Sequence, residues 1–296
     1  MAIAHEFEYF KPESLEEAVK LKARYGDRAR LLAGGTDLIV KINDELESPE
    51  AVIDLKGIKE MKRLEFKDGR LFIGPLVTFS ELIDSPEVRE KFPLFIEAAE
   101  TVASGSIRNR ATLVGNICSA VPSLDSGTPL LTYEAEVIAR GEDGERTIPI
   151  AEWFVGPKKN ALKEGEIVVG VSIPEPPKKH GGCYVKLGRY RGEDLAQVGV
   201  GILALEGNEY RVAFCAVGPI ASRADKIEKL LQGKKLDNGL IEEAIKLVPE
   251  EIAPIDDIRA TGEYRMHMAG VMLGRGLRAA VARLNGQGPE YGISVI

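Results

Sequence analysis

Residues 31–38 read LLAGGTDL: an apolar run stops at Gly34-Gly35 and restarts as Thr36-Asp37. Glycine admits positive φ and lets a bulky group touch the backbone. Consecutive N–H groups in such a turn form a concave anion site, reinforced where a helix begins. A pyrophosphate suits that chemistry, although an ordinary strand-to-helix turn capped by Thr36 or Asp37 accounts for the same residues. A second stretch, SGSIRNRATLVGNICSAVPSLDSGT over 104–128, gathers small residues and hydroxyls with almost no bulk. Gly105, Thr112, Gly115, Asn116, Ser119 and Ser123 offer donors to phosphates. Asp125 offers a carboxylate to ribose hydroxyls, and Arg108 and Arg110 add positive charge. The stretch is long for a connection, yet its interleaved Ile107, Leu113, Val114 and Ile117 predict order.

Other chemistries lack their residues. No GxxxxGK[ST] occurs, so there is no P-loop. Gly199-Val200-Gly201 runs on into Leu203 and Ala204 and reads as a close-packed strand. His5, His180 and His267 are far apart and beside no acid cluster. Met266, His267 and Met268 share a predicted helix and read as packing. Cys118, Cys183 and Cys215 are an odd set without CxxC, which excludes a disulfide framework, a zinc site or an iron–sulfur cluster held within this chain. The formal net charge of -7 makes non-specific nucleic-acid binding a poor fit. The start, MAIAHEFEYFKPE, lacks the regions of a signal peptide, and no apolar run could span a membrane. The expectation is a soluble, cytoplasmic protein.

The elements that must hold these loops are legible. Ser14 with Glu17 forms a capping box, predicting a helix to about Tyr25 with Gly26 at its end. ARLLA reads as a short buried strand, AVIDL (51–55) as a second, and residues 63–74 as a hairpin around Asp68-Gly69. Ser80 is expected to cap a short helix and Pro86 to open a longer one towards Thr101. Residues 135–150 form another hairpin, and 166–174 a closing strand. PEPPKKHGG (174–182) is the one clear linker. Three strands and then helices near 222–232, 237–248 and 261–284 follow. That order predicts an α+β arrangement. The length of 296 residues fits about two domains.

Two separated Gly-rich loops in this order resemble a known family. LLAGGTDL and SIRNRATLVGNICSAVPSLDSGTPLL look like the two flavin-binding signatures of the FAD-binding medium subunit of molybdenum hydroxylases, the xanthine dehydrogenase and carbon monoxide dehydrogenase type. The likeness runs on through EIVVGVSIP and YVKLGRYRGEDLAQV. It implies an α+β fold: a two-lobed FAD-binding domain of the p-cresol methylhydroxylase/vanillyl-alcohol oxidase type, then a small α+β C-terminal domain. The expected division is 1–175 (lobes about 1–56 and 57–175) and 176–296, with FAD between the domains.

By position, the resemblance puts Leu31, Leu32, Ala33, Gly34, Gly35, Thr36 and Asp37 on the pyrophosphate. Val102, Ala103, Ile107, Thr112, Gly115 and Asn116 should line the flavin. Asp125 falls where the family places an acid on the ribose, Leu162 should pack near a ring, and Lys186 matches a cofactor-contacting lysine. The implied function is electron transfer through FAD, from 2Fe-2S clusters on a small subunit and a large molybdopterin-binding subunit to an acceptor such as NAD or quinone. No catalytic acid or base is implied. Val114 stands where the family usually has a second glycine before Gly115. Two alternatives stay open: a nucleotidyltransferase, from LAGG followed by Thr, and a stand-alone flavin oxidase, for which Cys118 is the one covalent candidate in the loops.

Overall fold

The computed structural model of the chain describes residues 5–176, 179–190 and 193–296. Residues 1–4, Pro177 and Lys178 of the linker, and Arg191 and Gly192 of the 188–194 loop lie outside the described residues.

Three main sheets organise the fold. The first is parallel, in the order β1 (Glu8–Phe10), β3 (Ala51–Asp54), β2 (Ala29–Leu32), with α1 (Leu15–Tyr25) crossing between β1 and β2. Ser14 caps α1 by accepting from the Glu17 N–H, but the Glu17 carboxylate takes the N–H of Glu13 rather than that of Ser14. β2 is an edge strand, half-buried along its last three residues rather than buried as expected. The second sheet runs β4 (Leu64–Lys67), β5 (Arg70–Ile73), β10 (Ile167–Pro174), β6 (Glu136–Gly141), β7 (Gly144–Pro149), all antiparallel. The third is antiparallel: β11 (His180–Leu187), β12 (Val198–Leu205), β13 (Glu209–Cys215) and the unforeseen β14 (Ser222–Arg223). A small hairpin, β8 (Phe154–Gly156) with β9 (Lys159–Asn160), follows the short helix α9 (Ile150–Trp153).

Helices seal these sheets. α2 (Leu38–Asn43) follows the first glycine turn. Thr78, not Ser80, caps α3 (Phe79–Asp84), in a full capping box with Glu81. The helix expected from Pro86 to Thr101 is two, α4 (Pro86–Lys91) and α5 (Pro93–Glu100), because Pro93 has no N–H to continue the ladder. The second Gly-rich stretch is ordered as α6 (Gly105–Arg108), α7 (Leu113–Ser119) and α8 (Gly127–Thr132). α10 (Asp225–Leu231), α11 (Asn238–Leu247) and α12 (Gly262–Leu284) cover the third sheet. No helix among the described residues is long and apolar enough to cross a membrane.

α8 packs directly on the third sheet. A Cβ on Gly201 would stand 2.7 Å from the Thr128 side chain, and one on Gly199 would stand 2.4 Å from Cys215 Sγ. Glycine at 201 therefore lets α8 lie directly on β12, and glycine at 199 leaves room for the Cys215 and Tyr184 side chains. Trp153, fully buried, donates its indole N–H to the Ile117 carbonyl at 2.9 Å and so pins α7 from below.

Candidate functional site

The first glycine turn leaves the carboxyl end of β2, the side of a parallel sheet where ligands bind. Gly34 is pressed against the second loop: a Cβ there would meet the Arg110 carbonyl oxygen at 2.0 Å. Gly35 has φ +78. The first glycine thus answers to chain packing and the second to backbone conformation. Among the described residues none accepts a hydrogen bond from the N–H groups of Gly34, Gly35, Thr36 or Asp37. Asp37 precedes α2 but does not cap it; its carboxylate accepts from the Ser119 hydroxyl at 2.5 Å. That bond ties the two loops across a gap of 82 residues.

In the second loop Ser104 accepts from Ile107 N–H and Thr112 from Gly115 N–H at 3.0 Å, which sets α6 and α7. Asn116 accepts from the Ser126 hydroxyl at 2.6 Å. Arg108 does not supply charge to the cleft. Its guanidinium turns back onto the carbonyls of Val102 and Ala103. Arg110 contributes its backbone, through the contact with Gly34.

Asp125 is buried at the rear of the cleft, where α8 brings it against β11. Tyr184 donates its hydroxyl to one oxygen at 2.6 Å, and Lys186 donates to the other at 2.8 Å. Burial pushes the Asp125 carboxyl above its usual range, and the Lys186 ammonium and Tyr184 hydroxyl oppose that rise. Lys186 also donates to the Thr101 carbonyl at 2.8 Å. Lys186 therefore supports the acid instead of lining the cleft.

These parts enclose one cleft of about 1030 Å³, at the top of the roughly 300–1,000 Å³ range of small-molecule sites. Every residue that the family resemblance placed at the cofactor lines it except Leu32 and Lys186, while Gly105, Arg108 and Arg110 of the second loop do not. Leu32 lies beneath the turn, its Cδ1 3.0 Å from where a Gly35 Cβ would stand. Most of the residues lining the cleft come before residue 176. Its walls are the first-sheet turn, the 102–125 segment and the β8–β9 hairpin, and among the described residues beyond 176 Glu193, Asp194 and Leu195 reach it. Burial works to raise the Asp194 carboxyl, but Arg189 donates to it from its backbone and guanidinium and leaves it below its usual range.

The sequence reading missed several lining residues. Asn160 donates to the Cys118 carbonyl at 2.9 Å and holds the hairpin to α7. Arg30 and Lys41 both pair with Glu47 at one end. Partial burial works to raise the Glu47 carboxyl, but the two cations outweigh it and leave it lowered. Arg30 sits in β2, directly before the glycine turn, which was the available signal.

Open N–H donors on one wall, a carboxylate on another and apolar Val102, Ala103, Leu162 and Leu195 elsewhere fit an extended dinucleotide. Among the described residues no cluster of His, Cys, Asp and Glu could hold a metal ion.

Comparisons with known proteins agree with that reading. Residues 5–176 match the family model of the FAD binding domain in molybdopterin dehydrogenase, and 183–280 that of the CO dehydrogenase flavoprotein C-terminal domain. The carbon monoxide dehydrogenase medium chain of Hydrogenophaga pseudoflava is 33% identical over 94% of this chain and 98% of its own. The xanthine dehydrogenase FAD-binding subunit of Escherichia coli O157:H7 is 31% identical over 94% and 97%. Among solved structures, the carbon monoxide dehydrogenase of Hydrogenophaga pseudoflava superposes with a TM-score of 0.91 at 33% identity, covering 96% of this chain and 99% of that one. Quinoline 2-oxidoreductase of Pseudomonas putida 86 gives 0.87 at 26% identity, covering 97% and 99%.

Proposed function

Because the chain belongs to the FAD-binding medium-subunit family of molybdenum hydroxylases, an oxidoreductase component with FAD as cofactor, we propose that it holds FAD in this cleft. It would then relay electrons from iron–sulfur clusters on a small partner subunit, reduced by a large molybdopterin-binding subunit, to an external acceptor such as NAD or quinone. FAD, when bound, supplies the electron-transfer chemistry.

This chain's residues bind, orient and exclude water. The Gly34–Asp37 N–H groups donate to the pyrophosphate, and Asp125 accepts from a ribose hydroxyl with the lone pairs that Tyr184 and Lys186 leave free. Val102, Ala103 and Leu162 cover apolar ring surface. The boundary between the FAD-binding and C-terminal domains falls near residue 175, supported by the break between the two matched ranges. Family membership removes the nucleotidyltransferase alternative. Against covalent attachment, burial pushes the Cys118 thiol up to about 12, far from the thiolate a flavin linkage needs.

The observation that carries the site assignment is the set of N–H groups on Gly34–Asp37 that find no acceptor among the described residues. Purified full-length chain should take up FAD, with flavin absorbance retained through desalting. Gly35→Asp places a carboxylate against the phosphates and should abolish retention while the circular dichroism stays native. Unchanged retention would sink the pyrophosphate assignment. Mixing with the two partner subunits should give a stable complex; its absence would remove the electron relay.

A further inference from the structure

Arg108 donates from its guanidinium to the carbonyl oxygens of Val102 (2.9 Å) and Ala103 (2.8 Å). Ala103 has φ +40, left-handed backbone that any residue with a Cβ disfavours. A trans peptide is planar, with its C=O and N–H pointing opposite ways. With both oxygens drawn to Arg108, the N–H groups of Ala103 and Ser104 face away from it. Among the described residues neither finds an acceptor, and Val102 and Ala103 line the cleft. Successive N–H groups turned one way by a left-handed residue make a concave site for an electron-rich oxygen.

We propose that Arg108 is a positioning residue that sets the 102–104 backbone so that the Ala103 and Ser104 N–H groups donate to an oxygen of FAD. The inference rests on the assignment of the cleft to FAD. The oxygen belongs either to a flavin ring carbonyl or to a phosphate, which offer the same acceptor chemistry.

The test uses the full-length chain as wild type, Arg108→Ala, Ala103→Gly and the double variant. Dissociation constants are measured for FAD, riboflavin and ADP, with the reduction potential of the bound flavin. Arg108→Ala should weaken FAD about tenfold, the loss of roughly one hydrogen bond. Glycine reaches φ +40 without a Cβ penalty, so Arg108→Ala should cost less in the Ala103→Gly background. A ring carbonyl is indicated if riboflavin weakens and the potential shifts while ADP holds; a phosphate is indicated if ADP weakens and the potential holds. Unchanged FAD affinity in folded Arg108→Ala, or an equal loss in both backgrounds, overturns the proposal. Wild-type protein that binds no FAD overturns the cleft assignment itself, and this inference with it.

Discussion

Gly34 and Arg110 meet backbone to backbone: a Cβ on Gly34 would stand 2.0 Å from the Arg110 carbonyl oxygen. The carbonyl cannot move aside without shifting the whole second loop. Gly34→Ala should therefore cost about 3 kcal/mol by overpacking and weaken FAD at least about tenfold. Gly35→Ala meets the side-chain carbons Leu32 Cδ1 at 3.0 Å and Ile39 Cγ1 at 3.3 Å rather than backbone, and its main penalty is the left-handed φ, about 1–2 kcal/mol. Denaturant unfolding of both variants checks this order. Equal losses would contradict the backbone contact.

Glu97 on α5 and Arg283 on α12 form a bidentate pair whose side chains are 6% and 4% exposed. The Tyr184 and Gly292 N–H groups also donate to Glu97, and Arg283 donates to the Gly182 carbonyl. Removing one partner strands a buried charge, so Glu97→Leu or Arg283→Met alone should cost about 3–5 kcal/mol. The double variant strands none. Its loss should fall short of the sum of the singles by about 2 kcal/mol in a double-mutant cycle. Strict additivity would show that the pair is not coupled.

Asp257 carries the clearest acid sensitivity. Hydrogen bonds from Arg259 first, and the ion pair with the buried Arg265 at 2.6 Å, hold its carboxyl well below the usual range, against burial that would raise it. A depressed native pKa means that the unfolded chain takes up the proton first. The stability from this group is full above about pH 4, the ordinary carboxylate value. It is lost as pH falls below that towards the native pKa. Unfolding midpoints between pH 7 and pH 3 should fall less steeply for Asp257→Asn than for wild type. That variant should also be less stable at pH 7, because Arg265 keeps its burial and loses its counter-charge.

All three thiols are raised by burial to about 12. At pH 7 a thiol reagent should label the buried Cys183 and Cys215 slowly in the folded chain and rapidly after unfolding. Acid precipitation of the holoprotein should release all of its FAD. Flavin that stays with the pellet would revive a covalent attachment.

Local rules of chain geometry were legible from the residues alone. The Ser14 cap, the turn at Asp68-Gly69, the positive φ of Gly35 and the strands and helices after the linker each depend on neighbours a few positions away. So did two features read incorrectly: Thr78 with Glu81 spelled the true capping box, and Pro93 marked the break between α4 and α5. The paired loops also carried the family resemblance, and most of the residues it named line the cleft.

What the sequence by itself determined was the pair of loops, their small residues and the family they belong to. The tertiary structure decided what those residues do. It pressed Gly34 against Arg110, turned Arg108 behind the wall, joined Asp37 to Ser119 and set Lys186 behind Asp125. The last two bonds close separations of 82 and 61 residues. Such contacts follow from how close two backbones can approach, as where Gly201 on β12 admits α8. A side chain's aim is then fixed by partners that local sequence does not contain.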